Sequence, residues 1–243
     1  MSIKKYVPNA ITMCNLLCGC LAVLFAVNDQ MEYAAAFVAL GIFFDFFDGF
    51  FARLFNAQSE VGLQLDSLAD MVTSGVVPGI VMYKLLAHAN GLPWGEHFEA
   101  FSSPVPYIGF AITCASAYRL AKFNVDDRQT GSFIGLPTPA NTLFILSLPL
   151  ILIYGEFAFA KAVLENQYVL IAITALSCFL LNAELPLFSL KFKSYGFAEN
   201  AVKYIFLIVS VLLIVFLHFL AMPLIILLYV LLSMIFPDKK TTV

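Results

Sequence analysis

Four aspartates stand in "DFFDGFFARLFNAQSEVGLQLDSLAD", the stretch from Asp45 to Asp70. Asp45 and Asp48 are i and i+3, Asp66 and Asp70 are i and i+4, so on helices each pair shares one face. Two such faces on adjacent helices would bring four carboxylates together. Without counter-charge they would repel one another and take up protons, and the chain offers only Arg53 close by. Divalent cations answer that repulsion best, because oxygen ligands suit hard Mg²⁺, Mn²⁺ or Ca²⁺. Two ions about 4 Å apart form the arrangement that serves displacement at phosphorus. Gly49 and Ala52, on the same stretch, leave room for something flat or bulky to approach the backbone.

The elements that must position these groups belong in lipid. Of 243 residues 61% are hydrophobic and 12% charged, against roughly half and a quarter in a soluble domain. About 20 apolar residues cross a bilayer as a helix. Eight such stretches occur, near 9–28, 32–54, 65–87, 104–122, 138–155, 165–183, 201–219 and 221–236, the last two joined at Met222-Pro223. Their even spacing leaves no room for a soluble domain, so the fold class expected is an all-α integral membrane protein. It is one polytopic helical bundle of about eight spans over residues 1–243, with 201–236 an addition at the C-terminal end.

Charge orients the bundle. Assigned to alternate loops, Lys4, Lys5, Arg53, Arg119, Lys122, Arg128, Lys191, Lys193, Lys203, Lys239 and Lys240 fall on one side, leaving Lys84 and Lys161 for the other. Positive residues stay cytoplasmic, which puts both termini inside. The net charge of −3 says little beside this asymmetry, and no partner nucleic acid is expected.

A carboxylate at the bilayer centre costs about 2.5–3.5 kcal/mol, so four would cost on the order of 10–14 kcal/mol. Depth relieves part of this. With a span ending near Arg53, Asp48 lies about 8 Å and Asp45 about 12 Å inside it. Asp66 and Asp70 return to comparable depth, a little below the cytoplasmic surface. Aspartates in membrane helices also serve as ion-pair partners, proton relays and transporter coupling sites. A metal-ion transporter would hold them near the midplane on broken helices open to both sides, whereas this placement is one-sided.

The opening "MSIKKYVPNAITMCNLLCGCLAVLFA" has the basic head and apolar run of a signal peptide. The polar face of Asn9, Thr12 and Asn15 favours an uncleaved first helix. Five cysteines, three of them at 14, 18 and 20, have no ligand spacing to a His or a second Cys pair and read as packing residues. No P-loop, no H-E-x-x-H and no nucleophile elbow occurs.

Asp45-x-x-Asp48-Gly49-x-x-Ala52-Arg53, eight residues, then Gly62-x-x-x-Asp66-x-x-x-Asp70 resembles the signature of the CDP-alcohol phosphotransferases. In that family the hairpin binds a CDP-linked lipid and metal, and an alcohol attacks the lipid-side phosphorus, releasing CMP. The resemblance implies that Asp45, Asp48 and Asp66 are metal ligands, two ions per site. It implies that Asp70 is both ligand and general base, that Gly49 and Ala52 admit the cytidine, and that Arg53 binds phosphate or braces the site. It also implies a homodimer in a cytoplasmic membrane, with the site facing inward.

Three further stretches resemble the serine-using branch, the phosphatidylserine synthases. "PNAITMCNLLCG" sets Asn9, Thr12, Asn15 and Gly19 on one face, with Asn9 and Thr12 as candidates for nucleotide contact; the same residues could simply bond between helices. "GLQLDSLADMVTSGVVPG" and "AYRLAKFNVDDRQTGSFIGLPTPAN" look like segments of that branch, departing from it at Thr73-Ser74, Lys122 and Asn141. The likeness covers roughly residues 8–141. It implies transfer of the phosphatidyl group of CDP-diacylglycerol to L-serine. Arg119 could hold the serine carboxylate as a fork. Lys122 and Asn124 could join it or grip lipid phosphate, unless these charges only follow the positive-inside bias. Gly135, Pro137 and Pro139 make a rigid entry into the next helix. No H-x-K pair offers a phosphohistidine route. Glycerol 3-phosphate, inositol phosphate or choline remain alternative acceptors, though a phosphorylated one would call for more cations than Arg119, Lys122 and Arg128.

Overall fold

A computed structural model of the chain describes residues 6–96, 103–126, 133–188 and 196–236. The helices are α1 (Val7–Val27), α2 (Met31–Leu54), α3 (Glu60–Asp70), α4 (Val77–Ala89), α5 (Ala111–Val125), α6 (Thr138–Tyr154), α7 (Ala158–Leu164), α8 (Gln167–Asn182), α9 (Phe197–Leu217) and α10 (Ala221–Ile235). The protein is an all-α membrane protein. Phe133–Ile134 and Pro186–Leu187 pair as a two-residue antiparallel ladder that ties the entry of α6 to the exit of α8.

Each of the eight apolar stretches of the sequence holds a helix, but they do not all have the same reach. Val7–Val27, Met31–Leu54, Glu60–Ala89 and Asn200–Ile235 are long and apolar enough to cross a bilayer. A fifth crossing arises if α7 and α8, bent by 77° at their junction, act as one. α6 is shorter, with 17 residues. It packs against α2, α4 and α10, and most of its side chains are buried, so protein rather than lipid sets its length.

Two features depart from a reading of smooth spans. The stretch expected as one helix over 65–87 is α-helical to Asp70, π-helical from Met71 to Val76 and α-helical again from Val77. The break between the last two helices lies not at Met222-Pro223 but at His218, whose φ is +48°, followed by a 3₁₀ turn over His218–Leu220. Pro223 sits in the first turn of α10, where a missing N–H costs nothing. Lys84, assigned by sequence to a far-side loop, is instead buried in α4 and paired with Asp29 at 3.0 Å. Lys4, Lys5, Arg128, Lys191, Lys193, Lys239 and Lys240 lie outside the described residues.

α1 and α2 form the closest pair, meeting through Ala22, Ala26, Ala34 and Val38, all fully buried. Small side chains let two membrane helices approach closely. That approach, and the contact of α1 with α3 and the π-helix, sets the signature hairpin against the first helix. The entry to α6 is as expected: Gly135 has φ +74°, and Pro137 precedes the helix. Of the five cysteines none is bridged; Cys18 is buried, while Cys14, Cys20 and Cys114 are on the outer faces of their helices.

Candidate active site

The hairpin starts with a local signal: Ser59 accepts from Gly62 N at 3.0 Å and caps α3. α2 and α3 then run beside α1 and bring the distant aspartates together. One oxygen each of Asp45, Asp48 and Asp66 lie within 4.8 Å of one another. Bare carboxylates at that separation repel, and a cation among them is a way to hold them close. Asp66 Oδ1 is buried with no hydrogen-bond partner. Three hard oxygen donors with one buried oxygen to spare fit a divalent cation.

Asp70 stands apart from that triad. It lies within electrostatic reach of Asp45, Asp48 and Asp66, and of Arg119. Its Oδ1 accepts a hydrogen bond from Asn15 Nδ2 at 3.1 Å. Thr12 Oγ1 makes a comparable bond to Asp48 Oδ2, at 2.5 Å. The first helix therefore orients one carboxylate on each arm of the hairpin, from positions three residues apart.

A cavity of about 510 Å³ opens beside the triad, in the size range of small-molecule sites. Pro8, Asn9 and Thr12 of α1, Asp48, Gly49, Ala52 and Arg53 of α2, and Ser59, Gly62 and Asp66 of the α3 side line it. A Cβ built on Gly49 would meet nothing within 4 Å. The protein itself does not require glycine there, so any demand for it comes from what fills the cavity. Arg53 is exposed at the rim.

Of the sequence candidates, Asp45, Asp48, Asp66, Asn9, Thr12, Gly49, Ala52 and Arg53 meet at the triad or the cavity. Arg119 lies on α5 beside Asp70 and does not line that cavity. It is buried, Nε has no hydrogen-bond partner, and its guanidinium stands 5.9 Å from the Phe123 ring centroid. Lys122 reaches Glu184 at 3.4 Å on the surface. Asn124 Nδ2 donates to Ser67 Oγ at 2.9 Å and so ties α5 to α3. Both Lys122 and Asn124 are thus engaged with protein.

Asn15 and Thr73 were given no role by spacing. Asn15 continues the polar face of Asn9 and Thr12, which was a usable signal. For Thr73 there was none, because its partner is on a helix 58 residues away in sequence.

The sequence model of the CDP-alcohol phosphatidyltransferase family matches residues 5–180. Over 162 residues the chain is 37% identical to a Bacillus subtilis protein named CDP-diacylglycerol–serine O-phosphatidyltransferase, covering 62% of this chain and 82% of that one. A Mycobacterium tuberculosis protein of the same name is 31% identical over 151 residues, covering 59% of this chain and 49% of its own length. One from Methanocaldococcus jannaschii is 31% identical over 147 residues, covering 60% and 62%. The matched region contains the whole carboxylate hairpin, the cavity and Arg119, and the chain belongs to the CDP-alcohol phosphatidyltransferase family.

Proposed function

We propose that the protein is a CDP-diacylglycerol–serine O-phosphatidyltransferase, moving the phosphatidyl group of CDP-diacylglycerol to the hydroxyl of L-serine and releasing CMP. The observation that carries this is the convergence of Asp45, Asp48 and Asp66 at the wall of an open cavity, with Asp70 beside them and a buried arginine beyond it. The names of the bacterial and archaeal relatives support serine as acceptor.

In this reading the cytidine and its phosphates occupy the cavity, Gly49 and Ala52 leaving space for the base, Asn9 and Thr12 facing it from α1, and Arg53 meeting phosphate at the rim. Asp45, Asp48, Asp66 and Asp70 would hold two divalent ions, Mg²⁺ or Mn²⁺, with Ca²⁺ as the alternative. When bound, such ions neutralise the pyrophosphate and stabilise CMP as leaving group. Asp70 takes the proton from the serine hydroxyl as its oxygen bonds to the phosphatidyl phosphorus. The bond from that phosphorus to the CMP oxygen breaks, and the electron pair leaves with CMP. Base and alcohol must approach within about 2.6–3.2 Å, directly or through a water. Arg119, beside Asp70 and outside the cavity lining, meets the serine carboxylate with the fork geometry that suits it. With Lys122 drawn to Glu184, Arg119 is the cation left beside Asp70 among the described residues, which disfavours a phosphorylated acceptor.

We further assign the chain to the cytoplasmic membrane as a homodimer. It forms one domain over residues 1–243, with eight crossings, both termini inside and the site open to the cytoplasm; the helices over 201–236 are an addition to the catalytic part. Purified protein in detergent is to be given CDP-diacylglycerol, Mg²⁺ and Mn²⁺ with serine, glycerol 3-phosphate, inositol, inositol phosphate and choline together. The expected lipid product by mass spectrometry is phosphatidylserine, with CMP. Another phosphatidyl lipid would keep the chemistry and discard the acceptor. Folded, metal-binding protein that forms neither lipid nor CMP would return the carboxylates to ion transport. Asp70→Asn is expected to lower the rate by about 10²–10⁴-fold, the usual contribution of a positioned base, with nucleotide and metal still bound.

A further inference from the structure

Asp70 stands at the junction of two helical forms. It is the last residue of α3, where the α-helix gives way to the π-helix over Met71–Val76. The partner that holds it is Asn15 of α1, whose Nδ2 donates to Asp70 Oδ1 at 3.1 Å. Asn15 is itself completely buried, and its Oδ1 accepts from Thr73 Oγ1 at 2.8 Å. The Thr73 hydroxyl also lies 3.2 Å from the Asn15 carbonyl.

We propose that Thr73 and Asn15 are positioning residues for the reaction, forming a buried relay in which the Thr73 hydroxyl fixes the orientation of the Asn15 amide and the amide fixes the carboxylate of Asp70. This rests on the reading of Asp70 as the base. A primary amide has a donor end and an acceptor end. With Thr73 donating to Oδ1, the donor end faces Asp70. Turned over, the amide would set its oxygen against the carboxylate and its N–H₂ against a hydroxyl. An ionised carboxylate only accepts, so it takes the donor end of Asn15, and the Thr73 hydroxyl secures the acceptor end that faces it. The bond also commits one oxygen of Asp70 and leaves the other for metal or for the incoming proton.

The surroundings leave the relay little freedom. Thr73 is fully buried. A Cβ added to Gly41 of α2 would stand 2.8 Å from Thr73 Cγ2 and 2.9 Å from Asn15 Oδ1. One added to Gly19 of α1 would stand 3.0 Å from Thr73 N. Two glycines on two helices thus close around the pair, and neither Thr73 nor Asn15 lines the cavity beside the triad. Their contribution is to the base rather than to the binding of nucleotide.

Steady-state kinetics with CDP-diacylglycerol and serine test this on three variants. Thr73→Val keeps the shape and removes the hydroxyl; Thr73→Ser keeps the hydroxyl and removes a methyl. Thr73→Val is expected to lower kcat by about 10–100-fold, the usual effect of removing a group that orients an active residue. Both KM values are expected to stay within about twofold, and Thr73→Ser to keep kcat within about threefold of the unaltered protein. In an Asn15→Leu background, Thr73→Val is expected to add no further loss, because the hydroxyl acts through the amide.

Three results would overturn the relay: unchanged kcat in Thr73→Val, equal losses in Thr73→Val and Thr73→Ser, or full additivity with Asn15→Leu. If Thr73→Val does not fold in detergent, Thr73→Ala takes its place against Thr73→Ser. Both lack the methyl and only one lacks the hydroxyl, so equal kcat in the two overturns the proposal. An unaltered protein that makes no phosphatidyl lipid sinks the functional reading and this inference with it. An active protein with insensitive Thr73 variants sinks this inference alone.

Discussion

Asp66 leaves one buried oxygen without a hydrogen-bond partner, whereas Asp48 gives an oxygen to Thr12 and Asp70 gives one to Asn15. Of the carboxylates around the triad, Asp66 is the one most in need of a cation. Its removal should therefore act in opposite directions with and without metal. In chelator, Asp66→Asn relieves repulsion inside the triad and is expected to melt at or above the temperature of the unaltered protein. With Mg²⁺ or Mn²⁺ at about 100 times its dissociation constant, the unaltered protein gains about 2.7 kcal/mol, and the variant is expected to lose most of that gain. Thermal melts in detergent with and without metal check both halves. A metal-induced rise that survives in Asp66→Asn would remove Asp66 from the ligand set. Gly49 and Gly41 make a second contrast at this scale. Alanine at Gly49 meets open space, so Gly49→Ala is expected to fold normally and to raise KM for CDP-diacylglycerol. Gly41→Ala would press on Thr73 and Asn15, and is expected to lower kcat or stability instead.

The carboxylates were legible in the sequence because i, i+3 and i, i+4 spacing needs only a helix, and a hairpin of two helices suffices to join them. The support around them was not legible. Whether Thr12 turns to a nucleotide or to Asp48, and whether Asn124 meets a ligand or Ser67, depends on how closely α1 and α5 approach the hairpin. That distance is set by glycines and alanines whose partners lie elsewhere in the chain. At the scale of elements the same limit recurs. Proline marked the wrong break near Pro223 because a first helical turn accommodates it, while the true break, at His218, depends on a backbone conformation that His does not advertise.

Lys84 shows how an element is fixed at the end of the bundle away from the site. Asp29, in the turn between α1 and α2 with φ +59°, accepts from Lys84 Nζ at 3.0 Å and from Gly95 N at 2.9 Å through the same oxygen. The pair is nearly buried on both sides. It fastens the α1–α2 turn to α4 and to the segment after it, where His88 stacks on Trp94. Breaking one side of a buried pair leaves an uncompensated charge and costs about 3–5 kcal/mol. Lys84→Met is therefore expected to lower stability by about that amount, measured by denaturation in detergent. Asp29→Asn keeps a residue that tolerates positive φ, and the double variant is expected to recover most of the loss. Because the strut is remote from Asp70, the folded fraction of either variant is expected to keep its kcat. A double variant no more stable than Lys84→Met would mean that the pair contributes through something other than charge.

The charges of the whole molecule favour one orientation in the membrane, and that orientation decides what the site can use. Arg53 lines the cavity and Arg119 stands beside Asp70, and of the two basic residues assigned to the far side, Lys84 is neutralised within the bundle. The positive-inside tendency then favours a cavity open to the cytoplasm, and an even number of crossings puts both termini there as well. α6 and α8, with 17 and 16 residues, span about 24–26 Å at 1.5 Å per residue, short of a full hydrocarbon core. α6 is mostly sheltered by its neighbours, so tilt and local thinning can make up a difference of this size. Single cysteines in a cysteine-free background decide the matter. In intact cells a membrane-impermeant maleimide is expected to label Glu156→Cys, in the loop after α6, and to miss Glu184→Cys, in the loop after α8, until the membrane is permeabilised. The reverse pattern would turn the site outward, away from any cytoplasmic supply of a CDP-linked lipid and free amino acid. Labelling of both in intact cells would mean that α8, with its 77° bend to α7, re-enters without crossing, and that the chain passes the membrane an odd number of times.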